Sequence, residues 1–169
     1  MSKVLKKLML LMAFLTFAGL AFPVQAQDKA PDKLQAALIM KLLAFYTNLG
    51  ADPFTIHVIG APGVASELKK LEGKTAGKAT LNGVTTSDGL PSGEAKVVYV
   101  GKNIKDAIAY TQSNSVLSVS GVPGYTSDGV TLGISIEAGK PKIILNLSSS
   151  KAESINWNPA ILKVAATIQ

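Results

Sequence analysis

The sequence has 169 residues, with 17 lysines, no arginine, 11 acidic residues and a formal net charge of +6. A chain without arginine lacks the forked guanidinium group on which bidentate recognition of phosphates and bases depends, and this argues against nucleic-acid binding. The absence of cysteine excludes disulfide bonds, thiol redox switching and lipidation on cysteine.

The first 26 residues have the order of a cleavable secretory signal peptide. Three lysines precede an apolar run from Leu8 to Phe22, and Val24 and Ala26 occupy the positions where small side chains precede a cleavage site. A membrane anchor is the alternative, but the apolar run is shorter than the roughly 20 residues that cross a bilayer. We expect cleavage after Ala26. The exported chain then has no stable membrane anchor and, with 14 lysines against 11 acids, a formal charge of +3.

The exported part is predicted to be a polar tether, residues 27–33, followed by a single domain, residues 34–169. Predicted helices cover residues 31–49, 64–73, 103–112 and 159–168, and predicted strands cover residues 54–60, 78–86, 96–101, 115–121, 129–139 and 141–147. Residues 78–86 fit either one strand or a hairpin around Asn82-Gly83. Asn103 and Asn158 are expected to cap the last two helices.

Strands and helices alternate in this pattern until a strand pair and a closing helix end the chain. Such an order predicts an α/β three-layer sandwich, in which helices flank a mixed, mostly parallel sheet of five or six strands.

The first predicted helix is apolar on two sides. One strip comprises Leu34, Leu38, Leu42, Phe45 and Leu49, and the other comprises Ile39, Leu43 and Tyr46. A surface helix needs only one apolar strip, so this helix either lies within the core or shares a face with a second copy or another protein. Lys41 interrupts the main strip, and its ammonium group either extends to water or pairs with an acid of a partner.

Candidate catalytic and metal-binding residues are scarce. His57, the only histidine, stands in a predicted strand, and no carboxylates or nucleophile have the spacing of a metal site or a catalytic triad. We therefore expect a locally hydrogen-bonded His57, no metal, no cofactor and no enzymatic activity. The turn at residues 60–63 precedes a helix, where backbone N–H groups can bind an anion, but it lacks the pattern of a nucleotide-binding loop.

Two further aromatic residues are candidates for protein contact. Trp157, the only tryptophan, precedes the last predicted helix and either packs in the core or forms a contact hot spot. Tyr125 lies in a loop, residues 123–129, whose glycines and polar side chains suit either binding or a plain surface connection. The predicted protein-binding residues are Lys41, Phe45, Tyr46, Tyr125 and Trp157.

The order of these segments resembles that of the YfiR-like periplasmic proteins over residues 34–169. The matching segments are the opening helix QAALIMKLLAFYTNL with Lys41 and Phe45, the strand and turn FTIHVIGAPGVASEL, then VVYVG, SVLSVSG, YTSDGVTLGIS and the closing KIILNLSSSKAESINWNPAILKVA with Asn146. The chain departs from the family pattern in lacking a Trp-Pro pair after the first helix and the cysteines that give some members redox-dependent activity.

The resemblance implies a non-enzymatic periplasmic α/β protein, often a homodimer, that regulates another protein. The best understood relative holds a membrane-bound diguanylate cyclase inactive by contacting its periplasmic part, which lowers cyclic-di-GMP output and biofilm formation. We expect a regulator of this kind, which binds an inner-membrane signalling enzyme by preferring one of its states. The alternative is a periplasmic small-molecule or anion-binding module, with residues 60–63 and the Tyr125 loop lining a cleft at the strand ends.

Overall fold

The computed structural model describes residues 27–169, so the predicted signal peptide lies outside the described residues. The helices are α1 (Asp32–Leu43), α2 (Pro62–Lys69), α3 (Ile104–Asn114) and α4 (Leu147–Ala152), and two 3-10 helices cover Thr47–Leu49 and Pro159–Lys163. The strands are β1 (Asp28–Lys29), β2 (Phe54–Ile59), β3 (Thr75–Ala76), β4 (Ala79–Ser87), β5 (Val97–Val100), β6 (Leu117–Ser120), β7 (Leu132–Glu137), β8 (Lys140–Asn146) and β9 (Ala166–Ile168).

The strands of this region form one sheet in the order β3-β4-β2-β5-β6-β7-β8-β9, and β1 pairs with β7. The pairs of β2 with β4 and β5, of β6 with β5 and β7, and of β8 with β9 are parallel. The pairs β3–β4, β7–β8 and β1–β7 are antiparallel. The sheet is therefore mixed and mostly parallel, as predicted.

Helices cover both faces of the sheet because its central strands are apolar on both sides. Every residue of β5 and β6 is buried. On one face α1 and α2 pack over a large core that includes Ile39, Leu43 and Leu68, and on the other face α3 packs over a smaller core around Val98 and Ala107. The predicted three-layer sandwich is confirmed.

Both apolar sides of α1 are used within the domain. Ile39, Leu42 and Leu43 are buried, while Leu34 and Leu38 pack partly buried against the same core. The helix thus lies within the core, the first of the two alternatives that its sequence left open. It ends at Leu43 instead of residue 49 because the chain turns there and continues into the Thr47–Leu49 3-10 helix.

The sheet has nine strands among the described residues, where five or six were predicted. The extra strands β1, β3 and β9 are two or three residues long, too short to leave a period-two pattern in the sequence. Strand β1 falls within the segment predicted to be a polar tether, and Ala30, which follows it, is buried.

The helix predicted for residues 159–168 is wrong in its second half. Asn158 caps the first turn as expected, with its Oδ1 accepting a hydrogen bond from Ala160 N, but the turn is a 3-10 helix that ends at Lys163. Ala166–Ile168 then pair in parallel with β8 as strand β9. The open edge of β8 satisfies the backbone groups of this segment, and its threonine and isoleucine suit a strand.

Of the two alternatives for residues 78–86, the single strand is confirmed: residues 79–87 form one continuous strand with a bulge at Asn82, and the hairpin turn lies earlier, at Gly77. The prediction for Asn103 is wrong, because Asn103 does not cap α3 through its side chain. Its backbone is left-handed, with φ of 53°, and its Nδ2 donates to the Asp88 carbonyl oxygen at 2.7 Å instead.

Candidate protein-binding site

The end of α1 is joined to a segment more than a hundred residues later in the chain. Thr47 N and Thr47 Oγ1 both donate to the Asn156 carbonyl oxygen, at 3.0 and 2.9 Å. Asn156 N donates to Asn48 Oδ1 at 2.7 Å, and Asn158 N donates to the Phe45 carbonyl oxygen at 2.8 Å. We call residues 45–48 and 156–158 together the α1 junction.

Two aromatic rings pack at the centre of the α1 junction. Tyr46 and Trp157 form an isolated antiparallel bridge, and their ring centroids are 5.9 Å apart with an interplanar angle of 46°. This tilted arrangement is favourable for aromatic pairs. Tyr46 is buried, whereas Trp157 is half-buried and its Nε1 donates to Ser150 Oγ at 3.0 Å. Burial, and then the nearby Glu153 carboxylate, raise the pKa of Tyr46.

An open cleft of about 660 Å³ borders the α1 junction. Its lining includes Tyr46, Thr47 and Asn158 of the junction, together with Leu43, Ala44, Leu49, Gly50, Ala51, Ala76, Gly77 and Lys78. Gly77 has φ of +63°, and a Cβ there would lie 3.4 Å from Ala44 Cα, so glycine lets the β3–β4 turn approach the end of α1 closely. The cleft combines apolar walls with exposed backbone and one cation, the ammonium group of Lys78.

The structure brings four of the five predicted protein-binding residues to one region. Phe45, Tyr46 and Trp157 belong to the α1 junction, and Lys41 is exposed in the last turn of α1. Tyr125 lies elsewhere, half-buried against the smaller core beneath α3. That these residues contact a partner stays a prediction, but the first four form a continuous stretch of structure that can do so.

Four residues of this region were not singled out from the sequence. Thr47, Asn48 and Asn156 hold the junction together, and Lys78 supplies the cation of the cleft. The first three residues matter because they pair across more than a hundred residues of sequence, and Lys78 matters because it lines the cleft at the end of α1. No local sequence pattern records either relation.

A buried carboxylate anchors the segment that carries Trp157. Glu153 is 0% exposed, and its carboxylate accepts hydrogen bonds from Thr111 Oγ1 at 2.6 Å, Thr131 Oγ1 at 2.7 Å and Ser118 N at 3.0 Å. These donors belong to α3, to β6 and to the residue that directly precedes β7. Burial raises the pKa of Glu153, because no cation among residues 27–169 forms a salt bridge with it to compensate for the lost water, and the hydrogen bonds only partly offset this effect.

His57 is held by local hydrogen bonds, as predicted. Its Nδ1 lies 2.8 Å from Thr85 Oγ1, and its Nε2 lies 3.1 Å from Ser87 Oγ and 3.0 Å from the Gly89 carbonyl oxygen. A carbonyl oxygen can only accept, so Nε2 carries a hydrogen in this arrangement. The imidazole therefore offers no lone pair to deprotonate Ser87, and the contact does not form a catalytic dyad.

The turn at residues 60–63 is occupied by the chain's own side chains. The aliphatic part of Lys102 lies over Gly60, and the Asp32 carboxylate lies against Gly63, where an added Cβ would overlap it. Lys102 also pairs with Asp88 at 2.6 Å. Open α/β folds commonly bind ligands at this edge of the sheet, but here charged side chains of the protein itself occupy it. The large cleft lies at the end of α1 instead.

Metal-binding clusters and membrane-spanning helices are absent from residues 27–169. Within that range no three or more histidine, aspartate or glutamate side chains lie close enough to hold a metal ion, and no helix is long and apolar enough to span a bilayer.

Comparison with known proteins gives a family match and a structural neighbour. The family described as YfiR/HmsC-like matches residues 32–166. A solved structure, a conserved domain protein from Vibrio cholerae O1 biovar El Tor strain N16961, matches with a TM-score of 0.54 and 14% sequence identity. That match covers 84% of this chain and 61% of the Vibrio chain, and at this identity it concerns the fold alone. No curated protein matches the sequence.

The family match extends from the first turn of α1 to the first residue of β9, and so includes the whole α1 junction and the cleft. It confirms the resemblance inferred from the order of segments. The chain belongs to the YfiR/HmsC-like family, whose members are known as periplasmic regulators.

Proposed function

We propose that this protein is a non-enzymatic periplasmic regulator that binds the periplasmic part of a membrane-bound signalling enzyme, a diguanylate cyclase or a similar protein. The observation that carries the proposal is the α1 junction with its open cleft. The junction carries a half-buried tryptophan, Trp157, and the cleft beside it has apolar walls and one exposed lysine, Lys78. Aromatic side chains with adjacent polar groups are the usual anchors of protein interfaces.

Charge supports a partner that presents an acidic segment. Lys41 lies in the last turn of α1, just before the junction, and Lys78 lines the cleft. Neither ammonium group forms a salt bridge with any described residue. A partner that inserts an apolar side chain into the cleft and places a carboxylate near either lysine would satisfy both features. Binding one state of the enzyme better than the other would then shift its activity.

Site-specific photo-crosslinking in cells tests this proposal. A photoreactive amino acid replaces Ala51, an exposed residue of the cleft, and the matched control replaces Ala109, an exposed residue of α3 on the other sheet face. We expect the Ala51 probe, and not the Ala109 probe, to form an adduct with an inner-membrane enzyme identified by mass spectrometry. Adding the protein to that enzyme in membranes should change its cyclic-di-GMP synthesis.

Two results would count against the proposal. One is recovery of the Ala51-labelled protein only as a free monomer. The other is an adduct made solely of two copies of this chain, which would assign the cleft to a homodimer interface.

A small-molecule or anion-binding module is the second candidate, and the size of the cleft favours it. A volume of about 660 Å³ is within the usual range for ligand sites, and Lys78 could neutralise an anion. Thermal shifts with a panel of nucleotides, carboxylates and phosphates distinguish this candidate. A ligand at about a hundred times its Kd adds about 2.7 kcal/mol to the free energy of unfolding, and no shift across the panel would remove this reading.

A further inference from the structure

The dipeptide Asn82-Gly83 is chemically distinct from the other asparagine sites of the chain. Seven asparagines occur in the sequence, and Asn82 alone precedes glycine. The others precede leucine, isoleucine, serine, tryptophan or proline. A following glycine matters because it has no Cβ to shield its backbone nitrogen from the asparagine side chain, and because it gives the backbone the freedom to bring the two groups together.

The fold leaves the Asn82 side chain exposed and unbonded. Opposite β2, Phe54 pairs with Leu81 and Thr55 pairs with Gly83, so Asn82 is the extra residue of a bulge and has no partner in the ladder. Asn82 is exposed, and its amide makes no hydrogen bond with any described residue.

Most other asparagine side chains are held by hydrogen bonds that oppose an attack on the side-chain amide by the backbone nitrogen of the following residue. The amides of Asn48, Asn103, Asn114, Asn146 and Asn158 each bond to the backbone. Asn114-Ser115 is the nearest chemical competitor, but its Nδ2 donates to the Tyr110 carbonyl oxygen at 2.8 Å, and Ser115 N donates to the Thr111 carbonyl oxygen. The side chain of Asn156 likewise forms no hydrogen bond within the described part of the chain, but this residue is followed by the bulky Trp157.

We infer that Asn82-Gly83 is a site of spontaneous covalent modification, at which asparagine is converted to aspartate and isoaspartate. The deprotonated backbone nitrogen of Gly83 attacks the Asn82 Cγ, a new C–N bond closes a five-membered succinimide, and the side-chain nitrogen leaves as ammonia. Water then opens the ring at either carbonyl. One product is aspartate with the normal backbone, and the other is isoaspartate, whose backbone runs through the side chain.

The modification changes β4 in two ways. Both products add a carboxylate two residues before Val84, whose N–H donates to Glu72 Oε1 at 2.9 Å. Isoaspartate also inserts a methylene group into the main chain between the residues that pair with Phe54 and Thr55. Because ladder register depends on backbone spacing, isoaspartate should disturb the β2–β4 pairing, whereas aspartate should not.

Peptide mapping of the aged protein tests the inference. The folded chain is incubated at mildly alkaline pH, and its asparagine peptides are followed by mass spectrometry and by methyl transfer to isoaspartyl groups. We expect Asn82 to be converted first, more slowly at mildly acidic pH, while the peptides containing Asn114 and Asn156 stay largely unmodified over the same period. Asn156 is the internal control for an exposed side chain, and Asn114 is the control for a small following residue.

Gly83→Ala is the matched control variant. The position does not require a positive φ, and a Cβ there would have only Thr55 Oγ1 near it, at 4.0 Å, so the variant should fold normally. Loss of most of the conversion in this variant supports the mechanism. Equal conversion in Gly83→Ala, or an intact Asn82 beside a modified Asn114 or Asn156, would overturn it.

The variant Asn82→Asp distinguishes the effect of the added charge from the effect of the methylene group that isoaspartate inserts into the backbone. Fresh Asn82→Asp protein should unfold at nearly the same temperature as the unmodified chain, since the side chain is exposed, while the aged isoaspartate fraction should unfold at a lower temperature. A fraction rich in isoaspartate that melts like the fresh protein would contradict the predicted effect on β4.

Discussion

The Glu153 network and the α1 junction lie only a few residues apart in sequence, yet their physical character differs. Glu153 is fully enclosed, and its carboxylate binds three donors from three separate elements. The junction is hydrogen-bonded mainly through backbone groups, and its tryptophan stays half-buried beside an open cleft. The contacts of the Glu153 network are thus complete within the fold, whereas the α1 junction retains surface for another molecule.

The largest expected effect comes from removing the Glu153 carboxylate. Glu153→Ala leaves the Thr131 hydroxyl and the Ser118 N–H without their acceptor, and it leaves Thr111 Oγ1 with the Ile108 carbonyl oxygen alone, so we expect a loss of about 3 kcal/mol in the free energy of unfolding. Urea unfolding followed by circular dichroism measures this loss. A variant as stable as the parent chain would show that the network contributes nothing to folding.

Trp157→Ala should have the next largest effect. It removes the packing with Tyr46 and the hydrogen bond to Ser150, and for a half-buried side chain we expect a loss of about 2 kcal/mol. Trp157→Phe, which keeps a ring, should recover most of the stability in the same urea titration. If the junction also binds a partner, both variants should weaken crosslinking at Ala51, whereas Glu153→Gln should not.

The pH dependence of stability should distinguish Glu153→Gln from the parent chain. In the variant, the amide oxygen can accept from Ser118 N and Thr131 Oγ1, and its NH₂ can donate to Thr111 Oγ1, which can donate to the Ile108 carbonyl oxygen. The variant should therefore fold well. The free energy of unfolding of the variant should therefore have no pH-dependent contribution from residue 153.

The raised pKa of Glu153 in the folded state sets the direction in which stability changes with pH. Because the folded chain retains this proton to higher pH than the unfolded chain, the parent protein loses stability as pH rises from the unfolded pKa, near 4.5, through the folded pKa. Relative to the parent, Glu153→Gln should become more stable over that interval. Thermal unfolding of both proteins between mildly acidic and neutral pH measures the difference, and parallel curves would contradict it.

The smallest effect on stability is expected at Lys41. Lys41→Glu alters an exposed side chain and should change the free energy of unfolding by no more than about 0.5 kcal/mol, as should Lys33→Glu on the same helix. If an acidic partner docks at the α1 junction, Lys41→Glu should reduce crosslinking at Ala51 and Lys33→Glu should not. Equal crosslinking by the two variants would remove Lys41 from the binding surface.

Sequence patterns predicted the larger elements because each of these carries its own periodicity. The predicted bounds of the buried strands β2 and β5 are correct to within one residue, and so is the start of α1, although this helix ends six residues earlier than predicted. The helix prediction is wrong over β9, since the conformation of β9 depends on pairing with β8 and not on its own pattern. Of the candidate site, Lys41, Phe45, Tyr46 and Trp157 were selected from residue type, but nothing local indicated that they would meet.

Composition, periodicity and segment order were enough to predict the fold class, the family and the scarcity of catalytic groups, because these are properties of the chain alone. The three-dimensional arrangement was needed to show that both apolar sides of α1 are used internally, that Tyr125 lies apart from the other candidates, and that a cleft opens at the α1 junction. Burial and hydrogen bonding at these places come from residues that are far apart in the sequence, and in the α1 junction they are more than a hundred positions apart, as for Thr47 and Asn156.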